Sequence, residues 1–378
     1  TRGLLAHAND ETELAAVMGH ETGHVVARHG AEQASRRELL GLGLGVVGLT
    51  RPGLQSVAQL LGSGARLLLL RYSRDAEREA DMLGVRYAAR AGFDPAGMPR
   101  FMRVLDQIAH DSRGGLPGWL STHPNPGERV STTERLAQQA PHAAHAITGR
   151  EELLAYVDGI VFGDNPREGF QKGRTFHHPV LKFRFDLPEG WKSINTRQFL
   201  AAVDKPDQPT GQIVVRAVAP ADGGDLPPER FVQRLREKNP NAVFDGAAAA
   251  VNGLPAWSGR VRVPGANGAA ETTLDAAFIA LGGRLYQLLG AASDLSTVDR
   301  SIRSFRPETD PEILAVRPVV VQVHQIAVTL PLTEICAARR ELGASCREVA
   351  EMNHFAETDQ VPAGTSLKVP LRQCAVFP

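Results

Sequence analysis

Apolar residues recur at helical spacing early in the chain. Leu14, Val17, Met18, Val25 and Val26 form a stripe that predicts a helix, opened by Asp10 with Glu13 as a capping pair and stopped at Gly30. A second helix opens in the run from Ser73 to Asp81, continues through Tyr87 and ends near Gly92, with Pro95 beyond. Residues 131–160 read as helical through Leu136, Leu153, Leu154, Tyr156 and Val157, until Gly163-Asp164-Asn165-Pro166 breaks the pattern. From about Phe176 the period changes to two. Strands are expected at 180–187, 212–218, 256–263, 272–281 and 285–291, with helices at 228–238 and 297–305, which makes an α+β domain with one antiparallel sheet. Near the end, 346–354 reads as a helix and 361–370 as a turn into a strand.

Two further apolar runs, 39–49 and 60–70, are shorter than the ~20 residues a bilayer span needs. The first is studded with glycine and the second contains Arg66, so packed helices or a lid beside the site are expected, with contact to a membrane surface as the alternative.

With 378 residues the chain has room for two or three domains. Its 42 basic and 42 acidic residues balance, which leaves no basic footprint for nucleic acid. Cys336, Cys346 and Cys374 cluster near the C-terminus. One disulfide in a small exported domain suits that clustering, and a reduced set of structural thiols is the alternative; spacing does not decide which two would pair.

The chemistry begins at His20-Glu21-Thr22-Gly23-His24. Two histidines four apart on a helix lie one above the other and can direct ring nitrogens at one ion, and Glu21, about 100° round from His20, can serve as a general base. Zinc held by three protein groups keeps a fourth position for water and lowers its pKa to about 7. Glu77 and Asp81 are again four apart on the second predicted helix. Glu77 is the candidate third ligand and Asp81 the candidate acceptor for the second ring nitrogen of a ligand histidine, His20 first. Glu79 and Arg78 read instead as a solvated face.

A third segment, STHPNPGERV, contains His123 and Arg129. HETGH, SRDAEREAD and STHPNPGERV in this order, after an opening TRGLL, resemble the HtpX/BepA-like zinc metallopeptidases, the group that includes the CAAX prenyl endopeptidases. The resemblance covers roughly the first 135 residues. It implies zinc on His20, His24 and Glu77, Glu21 as base, and Asp81 supporting a ligand histidine. It further implies that His123 lies near the metal, as a fourth-site lock or an oxyanion stabiliser, and that Arg129 anchors its loop. In the family an edge strand that pairs with the substrate backbone precedes TRGLL, so the peptidase domain here is expected to be N-terminally incomplete.

The pattern "HP…F…lP.GW" with a helix ending in SFRP resembles the Mog1/PsbP-like domain of some exported members. The C-terminal helix, turn and strand resemble the second half of a LysM domain, a βααβ module for N-acetylglucosamine-containing glycans, here without the usual GDT-type start.

The expected fold is therefore multidomain. A mainly α-helical zincin-type metallopeptidase domain (1–160) precedes an α+β Mog1/PsbP-like domain (161–310) and a small LysM-like module (314–378). The expected function is zinc-dependent hydrolysis of peptide bonds in envelope or misfolded polypeptides, in the periplasm or cell envelope, with peptidoglycan and outer-membrane assembly proteins as candidate partners. The alternative is a periplasmic chaperone or binding protein whose zinc site is locked by His123.

Overall fold

The computed structural model describes residues 1–33, 72–111, 123, 126–141, 146–196, 199–205, 210–264 and 271–373. The apolar runs 39–49 and 60–70, and Cys374, lie outside them. Helices and several antiparallel sheets make a multidomain α+β chain of two compact units. One unit comprises the described residues of Thr1–Leu40, Leu70–Asn165 and Arg317–Pro378, the other those of Pro166–Val316. No helix among the described residues is long and apolar enough to cross a membrane.

The first unit opens with α1 (Arg2–His7) and α2 (Glu11–Val26). Asp10 caps α2 by accepting a hydrogen bond from Glu13 N–H, as its sequence position predicts. The helix ends at Val26, however, and not at Gly30: Arg28 adopts the left-handed region (φ 57°), and helical geometry resumes at 29–33.

Next come α3 (Arg74–Arg90), capped by Ser73, then α4 (Gly97–Asp111), α5 (Pro126–Gln139) and α6 (Arg150–Val157). The continuous helical stretch expected at 131–160 is therefore two helices. Between them, among the described residues, Ile147 N–H donates to Gly92 O and Gly149 caps α6 at positive φ. A core of Ala16, Val17, Val85, Met98, Phe101, Met102 and Leu105 holds α2, α3 and α4 together.

Glycine sets the spacing of α2 and α3. A Cβ on Gly19 would meet Gly84 O at 2.7 Å, and one on Gly84 would meet His20 N at 2.8 Å. Only residues without a Cβ let the two backbones come this close. The approach carries α3's carboxylates to α2's histidines.

The second unit contains a four-stranded sheet of β1 (Phe170–Lys172), β2 (Thr175–His178), β3 (Phe183–Asp186) and β11 (Arg306–Pro307), in the order β1-β2-β3-β11. Its seven-stranded sheet comprises β4 (Lys192–Asn195), β5 (Leu200–Val203), β6 (Gln212–Ala217), β7 (Val243–Val251), β8 (Leu254–Val263), β9 (Thr272–Leu281) and β10 (Arg284–Ala291), in the order β4-β5-β6-β10-β9-β8-β7. All the pairings are antiparallel.

The single sheet expected is thus two. Aromatic residues Phe176, Phe183, Phe185 and Phe305 pack with Ile213 and Leu288 into one core. On a second core, α7 (Pro228–Lys238) brings Phe231 and Val232 against Trp257 and Phe278, while α8 (Leu295–Arg303) contributes to the first. The strand expected from Val180 starts only at Phe183, because Lys182 turns at φ 53° to close the β2–β3 hairpin. His177 and His178 lie within β2, and buried His177 binds Glu308 across 2.5 Å. After α9 (Pro311–Leu314) the chain leaves this unit.

The residues from Arg317 on belong to the same compact unit as α2. They run β12 (Val319–Gln325), β13 (Leu330–Pro331), α10 (Leu332–Ala337), α11 (Cys346–Asn353), β14 (Gln360–Val361) and β15 (Ser366–Arg372), with β12 paired to β15. Cys336 and Cys346 form a disulfide between α10 and α11. Val321 and Met352 enter the helical core. Lys368, fully buried, donates from Nζ to Ala6 O at 2.8 Å and Ala8 O at 2.7 Å, directly before α2.

Candidate metal centre

His20 and His24 project from α2 toward Glu77 and Asp81 on α3, and all four side chains are buried. His20 Nε2 and His24 Nε2 are 3.0 Å apart. Glu77 places one carboxylate oxygen 3.6 Å from His20 Nε2 and the other 3.5 Å from His24 Nε2. Tetrahedral zinc bonds of ~2.0–2.2 Å to imidazole and carboxylate put ligand atoms about 3.4 Å from one another. The spacing and the donor set, two imidazoles and a carboxylate, therefore fit a divalent metal of the zinc type.

His123 joins this group. Its Nδ1 lies 3.0 Å from Glu77 Oε1 and 3.3 Å from His20 Nε2, and its Nε2 lies 3.5 Å from Glu21 Oε1. The four residues His20, His24, Glu77 and His123 each offer a ligand atom within 4.8 Å of the others. Glu21 is the more open side chain, 47% exposed at the edge of the cluster.

Beneath the cluster, His20 Nδ1 donates to Asp81 Oδ1 at 3.0 Å, which fixes the tautomer that directs the Nε2 lone pair inward. Arg129, from α5, donates from Nε to Asp81 Oδ2 at 2.8 Å and sets Nη1 2.6 Å from Glu77 Oε2. One guanidinium thus holds both α3 carboxylates. Burial alone would raise the Glu77 and Asp81 carboxyls. Hydrogen bonds from His123 and His24 to Glu77, from Arg129 and His20 to Asp81, and the Arg129 charge hold both below the usual carboxylate range. Burial pushes the His20 imidazole below its ordinary value, against the Asp81 bond.

The sequence-derived residues His20, Glu21, His24, Glu77, Asp81, His123 and Arg129 thus converge on one centre. Sequence reasoning passed over Tyr72 and His29, and gave Glu79 no part in the site. Tyr72 stacks on the His24 ring, with centroids 4.0 Å apart. His29 Nδ1 lies 2.9 Å from His24 Nδ1, and His29 Nε2 lies 3.3 Å from Glu79 Oε2. Glu79 is half-exposed, as a solvated charge is expected to be, and also contacts His29; exposed Arg78 pairs with Asp75. The signal was present as a histidine five residues beyond His24, but an unbroken helix would not bring those rings together. A cavity of about 450 Å³ lined by Glu11, Leu14, Met18, Tyr87 and Phe93 opens on the opposite face of α2 and is no part of this centre.

Residues 1–137 match the model of peptidase family M48. The chain is 38% identical over 149 residues to the beta-barrel assembly-enhancing protease of Yersinia pestis, covering 37% of this chain and 30% of that protein. It is 36% identical over 145 residues to the Escherichia coli K12 protein of the same name, covering 36% and 29%. To the mitochondrial metalloendopeptidase OMA1 of Bos taurus it is 37% identical over 149 residues, covering 36% and 28%. The family match and these relatives support a metalloendopeptidase. The chain spans only about a third of the length of the curated relatives it matches. Among solved structures, cyanobacterial PsbP from Synechocystis is similar at 16% identity over 35% of this chain and 91% of that one, with a TM-score of 0.27, too low to assign a fold.

Proposed function

We propose that this chain is a zinc-dependent endopeptidase that hydrolyses peptide bonds in envelope or misfolded proteins. The observation that carries the reading is the convergence of His20, His24, Glu77 and His123, all buried, with ligand atoms within 4.8 Å. His20, His24 and Glu77 would hold the ion, and a bound zinc supplies a Lewis acid for the scissile carbonyl and acidifies water. Glu21 takes a proton from the attacking water on its carboxylate and delivers it to the leaving amine nitrogen, which its open position at the rim of the cluster permits. Asp81 and Arg129 keep His20 and Glu77 in place.

A role in beta-barrel assembly extends to this chain what the names of its bacterial relatives state, and we place that role in the periplasm or cell envelope, beside outer-membrane assembly proteins. We assign the second unit a docking or specificity role as a Mog1/PsbP-like domain. The strand-helix-helix-strand order of β12, α10, α11 and β15 supports a LysM-like module that contacts peptidoglycan glycan.

One observation favours a second reading. His123 Nδ1 stands among the ligand atoms, where it would close the fourth vertex and lock the site, leaving a chaperone or binding protein. Casein degradation by wild type, Glu21→Gln and His123→Ala, with zinc content measured in parallel, separates the two. The peptidase reading expects cleavage that Glu21→Gln abolishes. A large gain in His123→Ala marks the histidine as a lock on a competent peptidase. Stoichiometric zinc with no cleavage by either wild type or His123→Ala refutes the peptidase reading.

A further inference from the structure

Ligand histidines need a hydrogen-bond acceptor on the nitrogen that faces away from the metal, because that bond fixes both tautomer and ring direction. His20 has one in Asp81. His24 is served differently. Its Nδ1 faces the Nδ1 of His29 at 2.9 Å, and the far nitrogen of His29 faces Glu79 Oε2 at 3.3 Å. We propose that His29 and Glu79 are positioning residues for the metal, forming a three-membered chain that aims His24 at the ion.

One proton arrangement satisfies both links of this chain. If His24 presents an Nε2 lone pair to a metal, its Nδ1 carries the hydrogen and donates to His29 Nδ1. His29 Nδ1 is then an acceptor, so its hydrogen sits on Nε2 and is donated to the Glu79 carboxylate, an acceptor without conditions. The backbone is built for this. The left-handed turn at Arg28 ends α2 and swings His29 back over His24, whereas five residues along a continuous helix would place it about 140° away. His29 is itself buried, 5% exposed, so water does not replace it as the partner of His24. Tyr72, stacked on His24 with planes 26° apart, fixes the remaining rotation of the ring. The two ligand histidines of α2 thus both end on an α3 carboxylate, one directly and one through His29.

This inference rests on the reading of His20, His24 and Glu77 as the metal-holding set, and the experiment separates the two. Zinc dissociation constants are measured by chelator competition for wild type, His29→Ala, His29→Gln, Glu79→Ala and Glu77→Ala, alongside urea unfolding of each protein in chelator. His29→Ala is expected to weaken zinc by about 10–100-fold. His29→Gln, whose amide oxygen can accept from His24 and whose amide can donate to Glu79, is expected to recover most of that loss. Glu79→Ala is expected to lose less than His29→Ala, because Glu79 is half-exposed and water can take its place. Rescue by glutamine is the readout that a purely structural role would not give. If His29→Ala does not fold, the ordering of His29→Gln and Glu79→Ala against wild type carries the test. Unchanged zinc affinity in both His29→Ala and Glu79→Ala, with affinity lost in Glu77→Ala, overturns the positioning role and leaves the metal set standing. Unchanged affinity in Glu77→Ala overturns both.

Discussion

Gly84→Ala tests whether the approach of α2 to α3 sets the metal centre. A Cβ at position 84 would stand 2.8 Å from His20 N, 2.8 Å from Met98 Cε and 3.0 Å from His20 Cα. The Met98 methyl can swing aside, since methionine repacks easily. The backbone of His20 cannot move without α2, and ordinary contact at 3.4 Å or more requires a separation of about 0.6 Å. That displacement is comparable to the margin within which His20 Nδ1 and Asp81 Oδ1, now 3.0 Å apart, remain a sound hydrogen bond. It also draws the α2 nitrogens away from Glu77.

Two terms set the stability. Alanine gains ~1 kcal/mol of helix propensity over glycine, and overpacking costs ~1–3 kcal/mol, so the metal-free variant should be less stable by about 0–2 kcal/mol. Zinc affinity should fall at least about tenfold, the lower range for disturbing a ligand's supporting bond. Urea unfolding in chelator gives the first quantity and zinc competition the second. A variant stabilised by ~1 kcal/mol with unchanged zinc affinity would show that only propensity matters at this position, and the crossing argument would fail.

Asp81→Asn keeps an acceptor for His20 but removes the charge that Arg129 holds; zinc affinity by chelator competition should drop about 10–100-fold, and an unchanged value would make Asp81 a bystander. Burial pushes the Lys368 ammonium down to about 7 from an ordinary 10.5, so above pH 7 the unfolded chain binds the extra proton and stability rises with pH. Measured against Lys368→Met, wild type should therefore gain as much as ~4 kcal/mol between pH 7 and 10, and a flat difference would contradict the buried charge. Glu13 acts in the opposite sense at lower pH: burial pushes its carboxyl from 4.5 up to about 7, so wild type should lose stability relative to Glu13→Gln as pH climbs through that window in chemical-denaturation series. Replacing both Cys336 and Cys346 by serine opens a loop of sequence separation 10 and should cost about 3 kcal/mol in urea unfolding under non-reducing conditions, with no difference once wild type is reduced.

Much of the candidate site was legible because its elements advertise themselves locally. Asp10 and Ser73 cap the two helices as their positions predict, and the four-residue spacings of His20/His24 and Glu77/Asp81 place each pair on one face. What escaped was tertiary. The turn at Arg28 carries no glycine or proline to announce it, so His29 appeared to lie on a continuing helix, and its contact with the half-exposed Glu79 was not foreseen. Strand β7 was missed because its Ala-rich run has low strand propensity, although the Asn252-Gly253 turn, with φ of 48° and 79°, is a hairpin signature. Strand β5, buried at each of its four positions, lacks the alternation that marks a half-exposed strand. The residues from Arg317 return to the helical unit through Val321 and Met352 in its core and a lysine buried against the carbonyls of Ala6 and Ala8. No local pattern encodes such a contact, since lysine is ordinarily a surface residue.

If a histidine pair on one helix and a carboxylate on the next hold one metal ion together, Glu77 is indispensable to it. Zinc stoichiometry and affinity of Glu77→Ala, measured beside wild type, decide the point. One zinc per wild-type chain and a substoichiometric, weakly held ion in Glu77→Ala are expected; one tightly bound zinc per chain in the variant would refute the shared site.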